Sequence, residues 1–270
     1  MRQLSEADRE RYARHLVLPL LGEQGQRKLL ESKVLVVGTG GLGSAVSPYL
    51  AAVGVGTLGI VDFDRVELSN LQRQVVHSTP NVGKYKTESA AERLTALNPG
   101  INVVQHRVWL SAENAMDIVS GYDVVVDATD NFPARYLMND ACYFLGKPFV
   151  YGSIFQYDGQ ASVLIADGGP CYRCLFPEPP PPGVVLPGKV AGILGAIPGV
   201  IGTIQATETV KLLLGIGRGL LGKLLVFDAL EMTFRNVTLR RDPGCALCGP
   251  NPTVTGFIDY EDFCGLGDKA

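Results

Sequence analysis

The chain has 270 residues, of which 46% are apolar and 19% charged, and its net charge is −3. That balance excludes an intrinsically disordered chain and gives no bulk attraction for nucleic acid or an anionic membrane. The length suits one large domain or two modest ones, and 32 glycines exceed average usage, pointing to tight loops of the kind that approach phosphate.

Taken in chain order, the first ten residues are charged and carry no apolar core, so no secretory signal is expected. Ser5 followed by Asp8 resembles a capping box that opens a helix running to about Leu16. Arg9, Arg11 and Arg14 sit on it, and spacing alone reads them as a solvated face. Lys33 to Gly38 is a β-branched run ending in glycine, the pattern of a strand buried on both faces. A helix over 44–53, a second strand ending at Asp62, and a helix from Lys84 to Leu97 stopped by Asn98-Pro99-Gly100 follow. Further strands are expected at Ile101–Val108, Asp123–Ala128 and Pro148–Tyr151. The alternation predicts an α/β fold: a Rossmann-like open, mostly parallel sheet with helices on both faces.

Beyond residue 152 the rhythm changes. Gln160–Ile165, Leu224–Asp228 and Thr233–Leu239 read as strands of a mixed C-terminal β region that continues the first sheet or lies beside it. Pro179 to Pro182 reads as an extended surface crossing. The longest apolar stretch, Val190–Ala206, is broken by Gly192, Gly195, Pro198, Gly199 and Gly202 and is too short to span a bilayer. A soluble, cytoplasmic protein with reduced or metal-bound cysteines is expected. We expect one domain over 1–270, with a nucleotide-binding lobe at 1–152 and a second lobe at 153–270.

Gly38-Thr39-Gly40-Gly41-Leu42-Gly43 fits G-x-G-x-x-G between a predicted strand and a predicted helix, with Asp62 ending the next strand. Such a turn lets phosphate approach backbone amides at a helix N-terminus, and the acid accepts from ribose hydroxyls. A rival motif, Gly183 to Val190, matches G-x-x-x-x-G-K but ends in valine and follows no strand, so it is not read as a P-loop. The loop Asp64 to Gln74 then offers Ser69, Asn70, Gln72 and Arg73, donors suited to a triphosphate. Lys84 and Lys86 follow. Asp130 and Asn131 come after the fourth strand, where an open sheet faces its ligand crevice. Hard Mg²⁺ wants such a carboxylate beside phosphate oxygens.

The run Ser69-Asn70-Leu71-Gln72-Arg73-Gln74, the glycine turn, Lys86 and Asp127-Ala128-Thr129-Asp130-Asn131 resemble the ubiquitin-activating superfamily, within it the bacterial ThiF/MoeB/HesA branch. The likeness runs from Tyr12 to Gly265. It implies ATP-dependent adenylylation of the C-terminal glycine carboxylate of a ubiquitin-like sulfur-carrier protein ending in Gly-Gly, with release of pyrophosphate. Molybdopterin, thiamine and thiolated-tRNA pathways use such carriers. By the same resemblance Asp62 holds ribose, Gly41 contacts the nucleotide, Arg73 and Lys86 bind phosphates and Asp130 holds Mg²⁺. Arg14 matches an arginine supplied across a homodimer, against the solvated-face reading. The catalytic set is then Arg14, Arg73, Lys86 and Asp130. The nucleotide contacts are Gly38, Gly40, Gly41, Gly43, Asp62, Asp64, Ser69, Asn70, Arg73, Lys86, Asp130 and Asn131. The glycine turn with Asp62 would equally serve a nicotinamide oxidoreductase. A non-enzymatic nucleotide-fold scaffold for a ubiquitin-like partner is the third reading. The set Arg73, Lys86 and Asp130 favours adenylylation.

Cys171-x-x-Cys174 and Cys245-x-x-Cys248 offer four thiolates, a closed tetrahedral shell for structural Zn²⁺. Relatives in this branch commonly carry a loop cysteine that forms a thioester or persulfide with the carrier; here Gly188 falls nearest that position. Cys142 is expected inside a helix and buried, and Cys264 as a free surface thiol. His15, His77 and His106 show no catalytic partner pattern and are read as structural. The length leaves no room for an appended sulfurtransferase domain, so a separate sulfurtransferase is expected to deliver sulfur.

Overall fold

The computed structural model describes residues 3–165, 168–181, 183–184 and 188–266. Eight strands form one sheet: β1 (Lys33–Val37), β2 (Thr57–Val61), β3 (Asn102–His106), β4 (Val124–Asp127), β5 (Phe149–Phe155), β6 (Asp158–Leu164), β7 (Lys223–Asp228) and β8 (Thr233–Thr238), in the order β3-β2-β1-β4-β5-β6-β7-β8. The first five are parallel, and β6, β7 and β8 add on antiparallel to their neighbours. The question left open by the later strands is therefore answered by continuation of the same sheet. The hairpin that reverses direction turns at Gln156, whose φ is +50°. The boundary expected near residue 152 falls inside β5, whose pairing with β6 runs through it.

Eleven α-helical segments accompany the strands among the described residues: α1 (Glu6–Arg11), α2 (Ala13–Leu16), α3 (Gly22–Glu31), α4 (Gly41–Ala52), α5 (Lys86–Leu97), α6 (Ala115–Ser120), α7 (Phe132–Leu145), α8 (Tyr172–Leu175), α9 (Gly188–Ala191), α10 (Ile197–Leu214) and α11 (Tyr260–Phe263). Strand side chains alternate between two covered faces, which is why β1 after Lys33 and β4 before Asp127 are runs of Val and Leu. Val34, Val36, Val124 and Val126 join the core that packs α4, α5 and α10. Leu35, Val37 and Val125 join the opposite core, with α6, α7 and the tail helix α11. The apolar run through Val190–Ala206 supplies part of α10, whose glycines let it lie close to α4: a Cβ on Gly202 would stand 2.7 Å from Leu42 O. No described helix is long and apolar enough to cross a membrane.

Three local expectations need revision. The first helix breaks at Tyr12 (φ −100°, ψ 16°), because this side chain is buried and its hydroxyl accepts from Asn98 Nδ2 at 2.9 Å. Helix α3 was not foreseen. Cys264 is not a surface thiol: it is 6% exposed, carried into the second core by α11. Cys142 is fully buried in α7, as expected.

Candidate active site

The glycine turn joins β1 to α4 at the C-terminal edge of the sheet. Gly38 takes φ +96°, and a Cβ there would lie 2.5 Å from Ala128 O, so only glycine lets β1 and β4 close at this edge. A Cβ on Gly43 would stand 2.0 Å from Gly38 O, which makes Gly43 a requirement of the turn itself. Gly40 is the N-cap of α4 and offers no side-chain cap, so the first amides of the helix are left for an anion. Gly41 lies beneath Pro198, 3.1 Å from where its Cβ would be, and the stem of Arg73 approaches the same point at 3.7 Å.

Around this turn the expected side chains gather. Asp62 Oδ2 accepts from Thr39 N and Oγ1, both at 2.9 Å, and its Oδ1 accepts from Asp64 N at 2.9 Å. Lys86 opens α5, is 7% exposed, and its Nζ donates to Asp64 Oδ2 at 2.8 Å. Asn70 is buried with Oδ1 accepting from Glu67 N at 3.2 Å; Ser69 Oγ donates to Glu67 Oε2 at 3.1 Å. Among the described residues Arg73 donates only a long bond to Ser69 O, 3.3 Å. Thr129 N lies 3.4 Å from the Gly38 Cβ position, so Asp130, the next residue, stands beside the turn. Asp130 is exposed and has no hydrogen bond or ion pair among the described residues. Asn131 uses Oδ1 to cap α7, accepting from Ala134 N at 2.9 Å.

Arg14 is not part of this gathering. Arg11 Nη1 donates to Leu97 O at 3.1 Å and Tyr12 packs on Gly54, so α1 and α2 lie against the C-terminal ends of α5 and α4. The glycine turn and Lys86 stand at the N-terminal ends of those helices. Twelve helical residues put roughly 18 Å between the two. Arg14 is exposed, beside Val17, Leu18 and Leu20, which are 75%, 49% and 71% exposed. In the rival motif, residues 185–187 lie outside the described residues, and 188–191 form a single helical turn.

Sequence reasoning missed His77 as a neighbour of the site. Its Nε2 donates to Thr39 O at 3.0 Å and its Nδ1 accepts from Ser89 Oγ at 2.9 Å, bracing the phosphate turn from behind. Burial lowers its pKa, with the Lys86 charge acting in the same direction, so the neutral ring is favoured. Nothing near His77 in the chain signals this, since Thr39 and Ser89 reach it only through the fold.

At the far side of α7 the four paired cysteines meet. All four Sγ atoms lie within 4.8 Å of one another, with separations of 3.9 Å (Cys171–Cys174), 3.6 Å (Cys171–Cys245) and 3.3 Å (Cys174–Cys248). A tetrahedron of sulfurs about Zn²⁺ at ~2.3 Å has edges of about 3.8 Å, so the donor set fits a closed zinc site. Asp242 N donates to Cys174 Sγ at 3.4 Å and Cys248 N to Cys245 Sγ at 3.5 Å, bonds that favour thiolate. The hydrogen bond from the Cys171 thiol draws the pKa of Cys174 down.

An open sheet with this glycine turn, an acid following β2 and a four-thiol knuckle is a Rossmann-like fold with a candidate nucleotide site. The chain belongs to the ThiF family, whose model matches residues 12–247. It is similar to a sulfur carrier protein adenylyltransferase of Thermus thermophilus, at 53% identity over 95% of this chain and 97% of the relative. The SAMP-activating enzyme E1 of Haloferax volcanii is 51% identical over 95% of each chain. A probable adenylyltransferase/sulfurtransferase MoeZ of Mycobacterium tuberculosis is 49% identical over 97% of this chain but 67% of its own length. Among solved structures, E. coli MccB with MccA-N7isoASN shares the fold: TM-score 0.76, 24% identity, covering 92% of this chain and 76% of that one. Similarity of this depth to named adenylyltransferases makes the chain a nucleotidyltransferase.

Proposed function

We propose that the chain adenylylates the C-terminal glycine carboxylate of a ubiquitin-like sulfur-carrier protein ending in Gly-Gly. The carboxylate attacks the α-phosphate of ATP, an acyl adenylate forms and pyrophosphate leaves. The observation that carries this is the convergence of the glycine turn, Asp62, Lys86 and the unpartnered Asp130 at one strand edge. The carboxylate nucleophile is already ionised at neutral pH, so no general base is needed, and catalysis reduces to positioning and charge stabilisation.

In this reading the amides following Gly40 receive phosphate oxygens and Asp62 accepts from the ribose hydroxyls. Arg73 and Lys86 neutralise charge that builds on the α-phosphate, with Asn70 and Ser69 beside them and Asp64 orienting Lys86. Asp130 would hold Mg²⁺, which supplies further charge neutralisation when bound. Arg14 acts in trans within a homodimer: its own site lies at the other end of α4, and the exposed Val17, Leu18 and Leu20 offer a surface for a second copy. The first lobe, 1–152, binds nucleotide, and the second, 153–270, receives the carrier.

Of the six cysteines, four form the knuckle and Cys142 and Cys264 are buried. No thiol is thereby left to relay sulfur, which supports a role confined to activation, with a separate sulfurtransferase supplying sulfur. The setting is cytoplasmic, in molybdopterin, thiamine or tRNA-thiolation chemistry. ATP–pyrophosphate exchange with carriers ending in Gly-Gly tests the reading: exchange that depends on the carrier is expected, and none with any carrier refutes it. Mixing Arg14→Ala with Asp130→Ala chains should restore part of the activity; no rescue refutes the role in trans.

A further inference from the structure

Between the thiol knuckle and the Asp130 loop runs a continuous series of buried polar and aromatic contacts. Thr129, next to Asp130, is held at three of its polar groups. Asp127 Oδ1 accepts from Thr129 N at 3.0 Å and from its Oγ1 at 2.7 Å; Thr129 O accepts from Arg135 Nη2 at 3.2 Å. Arg135 Nε closes the arrangement on Asp127 Oδ2 at 2.8 Å, with Asp127 fully buried and Arg135 5% exposed. The planar guanidinium presents its donors to the carboxylate and the carbonyl in a fixed fork, a geometry that the rotatable donors of an ammonium do not hold.

Arg135 is itself fixed by aromatic rings, its Cζ standing 5.3 Å from the Tyr151 centroid and 5.9 Å from that of Tyr172. Tyr172 lies between the first pair of cysteines. Its backbone N–H donates to Asn139 Oδ1 at 2.7 Å, and its neighbour Arg173 grips Asp140 with Nε at 2.9 Å and Nη2 at 2.7 Å. Arg135 and Asn139 are spaced i, i+4 on α7, so they lie on one face. The residues enclosed by Cys171 and Cys174 thus lock α7 along its length, and the start of α7 locks the loop that carries Asp130.

We propose that Arg135 is the positioning residue for the Asp130 loop, and that Tyr172, held by the thiol knuckle, sets Arg135. The inference rests on the reading of Asp130 as the metal–nucleotide carboxylate. It gives the knuckle a second task besides clamping distant segments: it fixes a carboxylate in the nucleotide site.

The test uses the full-length chain and two variants, Arg135→Lys, which keeps a charge beside Asp127, and Tyr172→Leu. Calorimetric titrations with ATP are run with and without Mg²⁺, alongside zinc content and thermal melting. In Arg135→Lys the affinity for Mg·ATP should fall by about tenfold or more, the range for residues that orient a metal ligand. Metal-free ATP, held by the glycine turn and Asp62, should bind as in the wild type, and zinc content should be unchanged. Tyr172→Leu should show the same selective loss, and it carries the test if Arg135→Lys does not fold. Equal weakening with and without Mg²⁺ overturns the proposal in favour of a purely structural role. So does unchanged Mg·ATP affinity in both variants. A wild-type chain indifferent to Mg²⁺ overturns the reading of Asp130 as well, which separates the two failures.

Discussion

Two acids, one just before α7 and one within it, stand in opposite circumstances. Asp130, just before the helix, is exposed and unpartnered among the described residues. Asp140, well along it, is fully buried and accepts from the Arg173 fork, from Tyr260 Oη at 2.9 Å and from Asn139 Nδ2 at 3.0 Å. One carboxylate is spent entirely on holding the fold, and the other keeps its lone pairs for something that is not part of the chain. Charge is tolerable in the interior only where every lone pair is met. The same residue type therefore separates a clamp from a site by its surroundings alone.

That contrast can be broken by substitution. Arg173→Leu orphans the buried Asp140 charge and should cost about 3–5 kcal/mol of stability in a denaturant or thermal melt. A loss well under about 1 kcal/mol would mean that the network is not what holds the knuckle side. Asp130→Ala should do the reverse. Exchange activity should fall by roughly 10²–10³-fold, the scale for removing a preorganised electrostatic group. Stability should stay within about 0.5 kcal/mol. Comparable losses of stability in the two variants would erase the distinction between the two acids.

A smaller effect sharpens it. Because burial lowers the pKa of His77, the folded state binds fewer protons there than the unfolded chain does. The stability that His77 contributes is complete above the unfolded value of about 6.5 and is lost as pH falls below it. His77→Gln should flatten part of that acid limb, read from melts at pH 7 and pH 5. His106, also lowered by burial, contributes in the same direction and is left in place by this variant. An identical limb in the variant would remove His77 from the support of the phosphate turn.

Much of the parallel half was legible in the chain because β-branched runs ending in glycine or aspartate have few other readings. The residues that line the strand edge were found for a related reason: in an open sheet the C-terminal ends of strands share one crevice, so position along the chain implies position in space. The antiparallel strands were recognised, but their place was not, because nothing local in β6 to β8 says which edge they extend. His77 was read as structural, and it is, but its place behind the turn depends on Thr39, 38 residues away. Arg135 was not singled out although Asp127 and Thr129 are near it in the chain, because the tyrosines it packs on, Tyr151 and Tyr172, come from later segments. Cys264 was misjudged for the same reason: Tyr260 and Phe263 on α11 carry the tail into the core, and a short tail helix gives little periodicity to read.

The most direct measurement follows the adenylyl group itself. The chain is incubated with Mg²⁺, a carrier ending in Gly-Gly and ATP labelled at the α-phosphate, and the carrier's intact mass and label are read. Label on the carrier's C-terminal carboxylate, with one pyrophosphate released for each adenylyl group and a rate lower by roughly 10²–10³-fold in the Asp130→Ala chain, is the expected result. ATP consumed with the carrier unmodified, or adenylylation undiminished in Asp130→Ala, would contradict the assignment of this strand edge as an adenylylation site.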